Sequence, residues 1–143
     1  MSEGISIRKC RLDECDIILR MWKASGALSS ATDNIEVLQN LIENPNSTLL
    51  VAEYRGNLAG TVIAGWDGWR GNIYRLTVLP EYRRRGIGKL LLKEAEEFLQ
   101  SRGARRVSGL AAPGTPLAIP FWDSTVVSGY TKDSSFIRYT KNL

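Results

Sequence analysis

The sequence predicts an α/β (α+β) fold with a mixed, mainly antiparallel sheet flanked by helices. Two observations carry the prediction. Three strand-like stretches at 48–54, 58–66 and 72–79 are joined by turns so short that neighbouring strands must run antiparallel. After Pro80 the apolar period changes from two to about 3.6, and the helix it announces is followed by another strand-like stretch at 106–111. Strand, helix and strand in succession form a crossover unit whose two strands are parallel. With 143 residues the chain is read as one domain, 1–143, long enough to bury a hydrophobic core.

Each element has its own signal. Ile5 to Lys9 alternates apolar and polar residues as a half-buried strand does, and Asp13 is placed to cap the helix behind it. In that helix Ile17, Ile18, Met21 and Trp22 are expected on one face. A polar break at 25–32 precedes a second helix, where Asp33 and Glu36 have capping-box spacing and Ile35, Leu38, Leu41 and Ile42 form the apolar stripe. Asn44-Pro45 ends it. The meander turns are Arg55-Gly56-Asn57 and the five residues 67–71. The long helix sets Ile87, Leu90, Leu91, Ala95, Phe98 and Leu99 against Lys89, Lys93, Glu96, Glu97 and Gln100, with Gly103 as its C-cap. Beyond it, Pro113, Gly114 and Pro116 mark a loop, Leu117 to Trp122 a short helix interrupted by Pro120, and Phe136 to Thr140 a last strand.

Composition narrows the chemistry. The chain contains no histidine, which removes Ser-His-Asp and Cys-His relays and the usual imidazole metal sites, so no metal is expected. Cys10 and Cys15 fit neither a CxxC pair nor a zinc ribbon and are read as structural thiols. No apolar run approaches membrane-spanning length, and no basic start followed by an apolar stretch marks a secretory signal. A cytoplasmic protein without a membrane partner is expected. A net charge of +4 and a pI near 9.3 suit an anionic ligand, whether a phosphate-bearing cofactor or a nucleic acid.

The sharpest feature lies between the third meander strand and the long helix. Arg83-Arg84-Arg85-Gly86-Ile87-Gly88-Lys89 brings fixed positive charge to a helix start, where backbone N–H groups are unpaired and the macrodipole favours an anion. The glycines let a phosphate approach the backbone closely. This is not a P-loop, because Arg83 stands where the first glycine should and Leu90 follows Lys89. Nor is it a dinucleotide fingerprint, whose third glycine would fall at Leu91.

The segment resembles the pyrophosphate-binding motif of the Gcn5-related N-acetyltransferase (GNAT) family: Gln or Arg, two residues, Gly, one residue, Gly or Ala. Leu76-Thr77-Val78-Leu79-Pro80-Glu81-Tyr82 is similar to the family's fourth strand and its exit, and Leu90-Leu91 and Arg102-Gly103-Ala104 fall where the family helix carries such residues. Phe121-Trp122, Gly129-Tyr130 and the ending from Arg138 to Leu143 look like small prokaryotic members. The resemblance covers nearly the whole chain. It implies fourth and fifth strands that splay apart, with Leu76, Thr77 and Val78 offering backbone to the pantetheine arm of acetyl-CoA. Arg83, Arg84, Arg85, Gly86, Ile87, Gly88 and Lys89 would hold the pyrophosphate. It further implies transfer of an acetyl group to a primary amine, on a small molecule or a protein, by direct attack in a ternary complex.

Acetyl transfer needs a neutral amine, an N–H donor at the developing oxyanion and often an acid for the thiolate. The resemblance assigns the donor to an amide near Val78. It carries over no acid or base: Trp122 stands where many members have a tyrosine, and Asn72 where the histone-modifying branch has a glutamate. Tyr74 is the one side chain left as a candidate. Trp66, Trp69 and Trp122 are read as core or rim aromatics before acceptor-pocket ones, and Tyr130 as core. Two other readings compete. A non-catalytic acyl-CoA sensor would keep the cofactor site, while a nucleic-acid module would need aromatic-basic interleaving that the chain lacks. The acceptor and any homodimer are left open.

Overall fold

A computed structural model describes residues 3–27, 29–111 and 118–143. The chain divides into two compact units, Met1–Leu110 and Ala111–Leu143.

The first unit holds a five-stranded sheet in sequential order, β1 (Ile5–Lys9), β2 (Ser47–Tyr54), β3 (Asn57–Trp66), β4 (Gly71–Val78) and β5 (Val107–Gly109). The first four strands pair antiparallel and β4 pairs with β5 in parallel. The expected mixed sheet and crossover unit are therefore present. The β2–β3 turn is tight because Arg55 and Gly56 both take positive φ, +50° and +83°, the backbone signature of a type I′ hairpin.

Helices α1 (Cys15–Ala24), α2 (Ile35–Glu43) and α3 (Ile87–Arg102) cover the sheet. Thr48 to Ala52 on β2 and Ala59 to Ala64 on β3 are buried without a break, so both faces of the central strands are covered. On one face Ile18 and Trp22 of α1 and Leu38 of α2 pack with Leu49, Val51 and Ile63. Leu91 and Leu99 of α3 approach Gly60 and Gly71 of β3 and β4. Each fully buried leucine or isoleucine here contributes about 1.5–3 kcal/mol. No described helix is long and apolar enough to cross a membrane.

The helix starts depart from expectation. Asp13 lies inside a 3-10 turn, Leu12–Glu14, and it is Glu14 that reaches back to accept from the Arg11 N–H at 2.8 Å. Asn34, not Asp33, caps α2, its side chain accepting from Val37 N at 2.9 Å. Asp33 is drawn away by an ion pair with Arg75. Ile17 and Ile35, expected in the buried stripes, are 45% and 46% exposed, because each helix turns only a narrow face to the sheet. Leu92 joins the buried side of α3 instead.

The second unit contains α4 (Ala118–Ser124) and a following 3-10 turn, Thr125–Ser128. Pro120 sits in the first turn of α4, where its missing N–H costs no helical bond. Leu117 and the expected loop at Pro113, Gly114 and Pro116 lie outside the described residues. The strand expected from Phe136 to Thr140 is not formed. Phe136 and Ile137 are both exposed, and two adjacent apolar residues already break the alternation a half-buried strand requires.

Candidate active site

The chain leaves β4 through Leu79, makes a 3-10 turn at Pro80–Tyr82, and enters α3. Arg84 and Gly86 take left-handed backbone, φ +67° and +81°, so two left-handed residues make the turn from β4 into α3. Gly86 is the N-cap and offers no side chain to the helix. The first helical bond of α3 runs from Leu90 N to Gly86 O at 3.1 Å. The N–H groups of Ile87, Gly88 and Lys89 thus point out of the helix end, as helix geometry requires.

The three arginines, equivalent in the motif, have different places. The Arg83 Nε donates to the Val78 carbonyl at 3.0 Å, latching the loop to the strand. Arg85 lies over the Tyr54 ring, its Cζ 4.6 Å from the centroid, and donates to the Tyr54 hydroxyl at 3.3 Å. Arg84 and Lys89 are exposed and form no ion pair among the described residues, which leaves their charge available to an anion at the helix end.

The sheet opens beside this loop. β4 and β5 are paired only from Gly71 and Val107 to Ile73 and Gly109, with one more long contact from Leu110 N to Ile73 O at 3.4 Å. β4 continues to Val78. Gly60 of β3 lies opposite Val78, and the next residue, Leu79, donates to Ala59 O at 2.8 Å. Antiparallel ladders alternate, so Val78 is a non-bonded position whose N–H and C=O face away from β3. The Arg83 bond to the Val78 carbonyl fits that orientation. Thr77 lies opposite Thr61, and Leu76 falls at a register shift. Tyr74 sits where β5 pairing has just ended and is 39% exposed. Asn72 lies opposite Ser108 inside the parallel ladder.

Next to Tyr74 the strand is bulged. Ile63 lies opposite Tyr74 and Thr61 opposite Thr77, so Arg75 and Leu76 together face Val62. Arg75 has φ +53°, and its carbonyl accepts from Thr61 Oγ1 at 3.0 Å. Thr61 Oγ1 in turn accepts from Trp22 Nε1 at 2.8 Å. The Arg75 Nη2 donates to both carboxylate oxygens of Asp33, at 2.9 and 2.7 Å, and the guanidinium lies 4.9 Å from the Trp22 ring centroid.

An opened sheet edge beside an unclaimed helix N-terminus is the geometry the resemblance anticipates, and the family comparison decides it: a model of the acetyltransferase (GNAT) family matches residues 15–124. The chain belongs to the GNAT acetyltransferase family. An acetyltransferase of Photorhabdus laumondii subsp. laumondii is 34% identical over 104 residues, 72% of each chain. The PaiA N-acetyltransferase of Thermoplasma acidophilum, solved with coenzyme A, has a TM-score of 0.73 at 21% identity, over 85% of this chain and 87% of that one. An aminoglycoside acetyltransferase from an uncultured soil metagenomic sample, solved with sisomicin, gives 0.67 at 18% identity over 98% and 99%. As a GNAT protein the chain is an acetyl-transferring enzyme, and the two solved structures share its fold.

Of the residues expected at this site, Leu76, Thr77 and Val78 lie on the part of β4 beyond the β5 pairing, and 83–89 form the turn into α3. Trp69 stands apart on the β3–β4 hairpin, 71% exposed beneath Arg70, while Trp66 ends β3. In the second unit Trp122 packs edge-on against Tyr130, centroids 5.4 Å apart, and Tyr130 is half-buried there. Asp33, Arg75, Trp22 and Thr61 were not singled out by sequence reasoning as a set. One signal was present: the apolar residues of β4 stand at 73 and then at 76 and 78, a change of parity that only an extra residue in the strand can reconcile.

Proposed function

We propose that this GNAT enzyme takes its acetyl group from acetyl-CoA and gives it to a primary amine, on a small molecule or a protein, by direct attack in a ternary complex. The observation that carries the reading is the Val78 amide, turned away from β3 where β4 leaves β5, with the open end of α3 alongside. Acetyl-CoA supplies a thioester carbonyl to be attacked and a thiol to depart. The N–H groups of Ile87, Gly88 and Lys89, with the Arg84 and Lys89 charges, suit its pyrophosphate; Arg83 and Arg85 shape the loop that presents them. Backbone from Leu76 to Val78 suits the pantetheine amides. The Val78 N–H is the donor for the carbonyl oxygen as it gains charge.

In the transfer the amine lone pair forms the new C–N bond, the C–S bond breaks, the amine nitrogen loses a proton and the sulfur leaves as thiolate. Tyr74 is the candidate side chain toward the acceptor. We read both units as parts of one transferase domain, because the family match runs across the boundary between them.

Thermal melts and calorimetry with acetyl-CoA test the donor. A ligand at a hundred times its Kd stabilises the native state by about 2.7 kcal/mol, a rise of several degrees in Tm. A panel of polyamines, aminoglycosides and peptide N-termini, read by CoA release and by mass, tests the acceptor. Millimolar acetyl-CoA that produced neither heat nor a Tm shift would overturn the assignment.

A further inference from the structure

Arg75 is a non-glycine residue held in left-handed backbone in the middle of a strand, and four contacts hold it there. Its carbonyl is fixed by Thr61, its guanidinium by both oxygens of Asp33 and by the Trp22 ring, and Trp22 itself donates to Thr61. Asp33 is committed as well, accepting from the Ser30 N–H at 3.0 Å and the Ser30 hydroxyl at 3.2 Å. Both partners of the ion pair are largely sheltered, with side chains 18% and 19% exposed. Conformational strain maintained by this much surrounding structure points to a requirement on the backbone.

The bulge determines which amide faces the gap between β4 and β5. Before it, Ile63 lies opposite Tyr74; continued without the extra residue, that register would set Thr77 opposite Gly60. The N–H turned away from β3 would then belong to Thr77, and Val78 would point into the ladder. With the bulge, Val78 lies opposite Gly60 and its N–H is turned outward.

We propose that Arg75, clamped by Asp33, is a positioning residue of the transfer reaction: it holds the left-handed bulge that turns the Val78 amide toward the thioester oxygen. The inference rests on the acetyl-CoA reading above. It also assigns the segment before α2 a task at the reaction centre, since Asp33 contributes no donor of its own and acts only through Arg75.

The test uses the full chain, labelled with nitrogen-15, with acetyl-CoA and CoA as the probes. In the native protein the Val78 amide proton should move downfield with acetyl-CoA and not with CoA, which lacks the thioester carbonyl. In Arg75→Ala and in Asp33→Asn that difference should be lost while acetyl-CoA still binds, more weakly where the pantetheine meets β4, because the helix end that holds the pyrophosphate is untouched. Arg75→Gly should restore it, since glycine adopts positive φ without a clamp. A guanidinium that merely stabilised the fold would not be rescued by glycine. Should Arg75→Ala fail to fold, Asp33→Asn, which keeps the side-chain shape, carries the same readout. A Val78 response that persists in Asp33→Asn and Arg75→Ala overturns the inference and leaves the donor reading standing; failure of acetyl-CoA to bind the native protein overturns the donor reading.

Discussion

The Glu14 carboxylate accepts from both Arg8 nitrogens at 2.8 Å, from the Arg11 N–H at 2.8 Å and from Arg11 Nη2 at 3.2 Å, with its side chain only 9% exposed. The Arg8 hydrogen bonds chiefly hold its pKa far below the usual carboxylate range, at about 2. A depressed carboxylate stabilises the fold above its unfolded pKa, and that contribution disappears as pH falls through the folded value. Between roughly pH 5 and pH 2 it should therefore fade, at a size on the order of 2 kcal/mol. Glu14→Gln should melt lower at neutral pH and show a flatter acid limb than wild type in melts across that range. Identical limbs would mean that the pair with Arg8 is not made. At this scale the sequence is ambiguous: Asp13-Glu14 and Asp33-Asn34 each offer two capping side chains, and the choice is made by distant partners, Arg8 on β1 and Arg75 on β4. Local spacing does not contain those partners.

Strands and helices with two concordant signals were placed closely. The meander strands fall within a residue or so of expectation because alternation and turn chemistry agree at both ends. β5 is shorter than the 106–111 expected, ending at Gly109, and that early end opens the edge on which the proposed chemistry depends. The bulge leaves one local mark, the parity change within β4, while the Arg75–Asp33 ion pair beside it spans 42 residues of sequence and leaves none. Close approach of β3 and β4 is a further condition on this edge. A Cβ at Gly60 would lie 2.7 Å from the Thr77 carbonyl oxygen, a clash with backbone and not with the movable end of a side chain. Gly60→Ala should cost about 1–3 kcal/mol and lower Tm by several degrees. Gly65→Ala is the control, since nothing lies within 4 Å of its Cβ. Equal melting of the two would show that β4 yields freely at Thr77.

Across the whole chain, the legible parts are those written in backbone chemistry: glycines and positive charge at a helix start, short turns, a strand leaving its neighbour. The catalytic side chains were not legible, and the structure explains part of that, since the positioning proposed for Val78 works through its backbone. The two thiols, read from spacing alone as structural, are both buried, Cys10 at 4% and Cys15 at 1%. Burial pushes the Cys10 thiol up to about 12 and raises Cys15 as well. A thiol-reactive dye mixed with the native protein should therefore meet no reactive sulfur, and in denaturant it should count two per chain. Rapid stoichiometric labelling without denaturant would contradict that packing. Because the only thiols sit where β1 meets α1, the dye serves two measurements in one cuvette. With substrates present its colour records each CoA released against a silent protein background, and without them its slow uptake clocks how often the core opens.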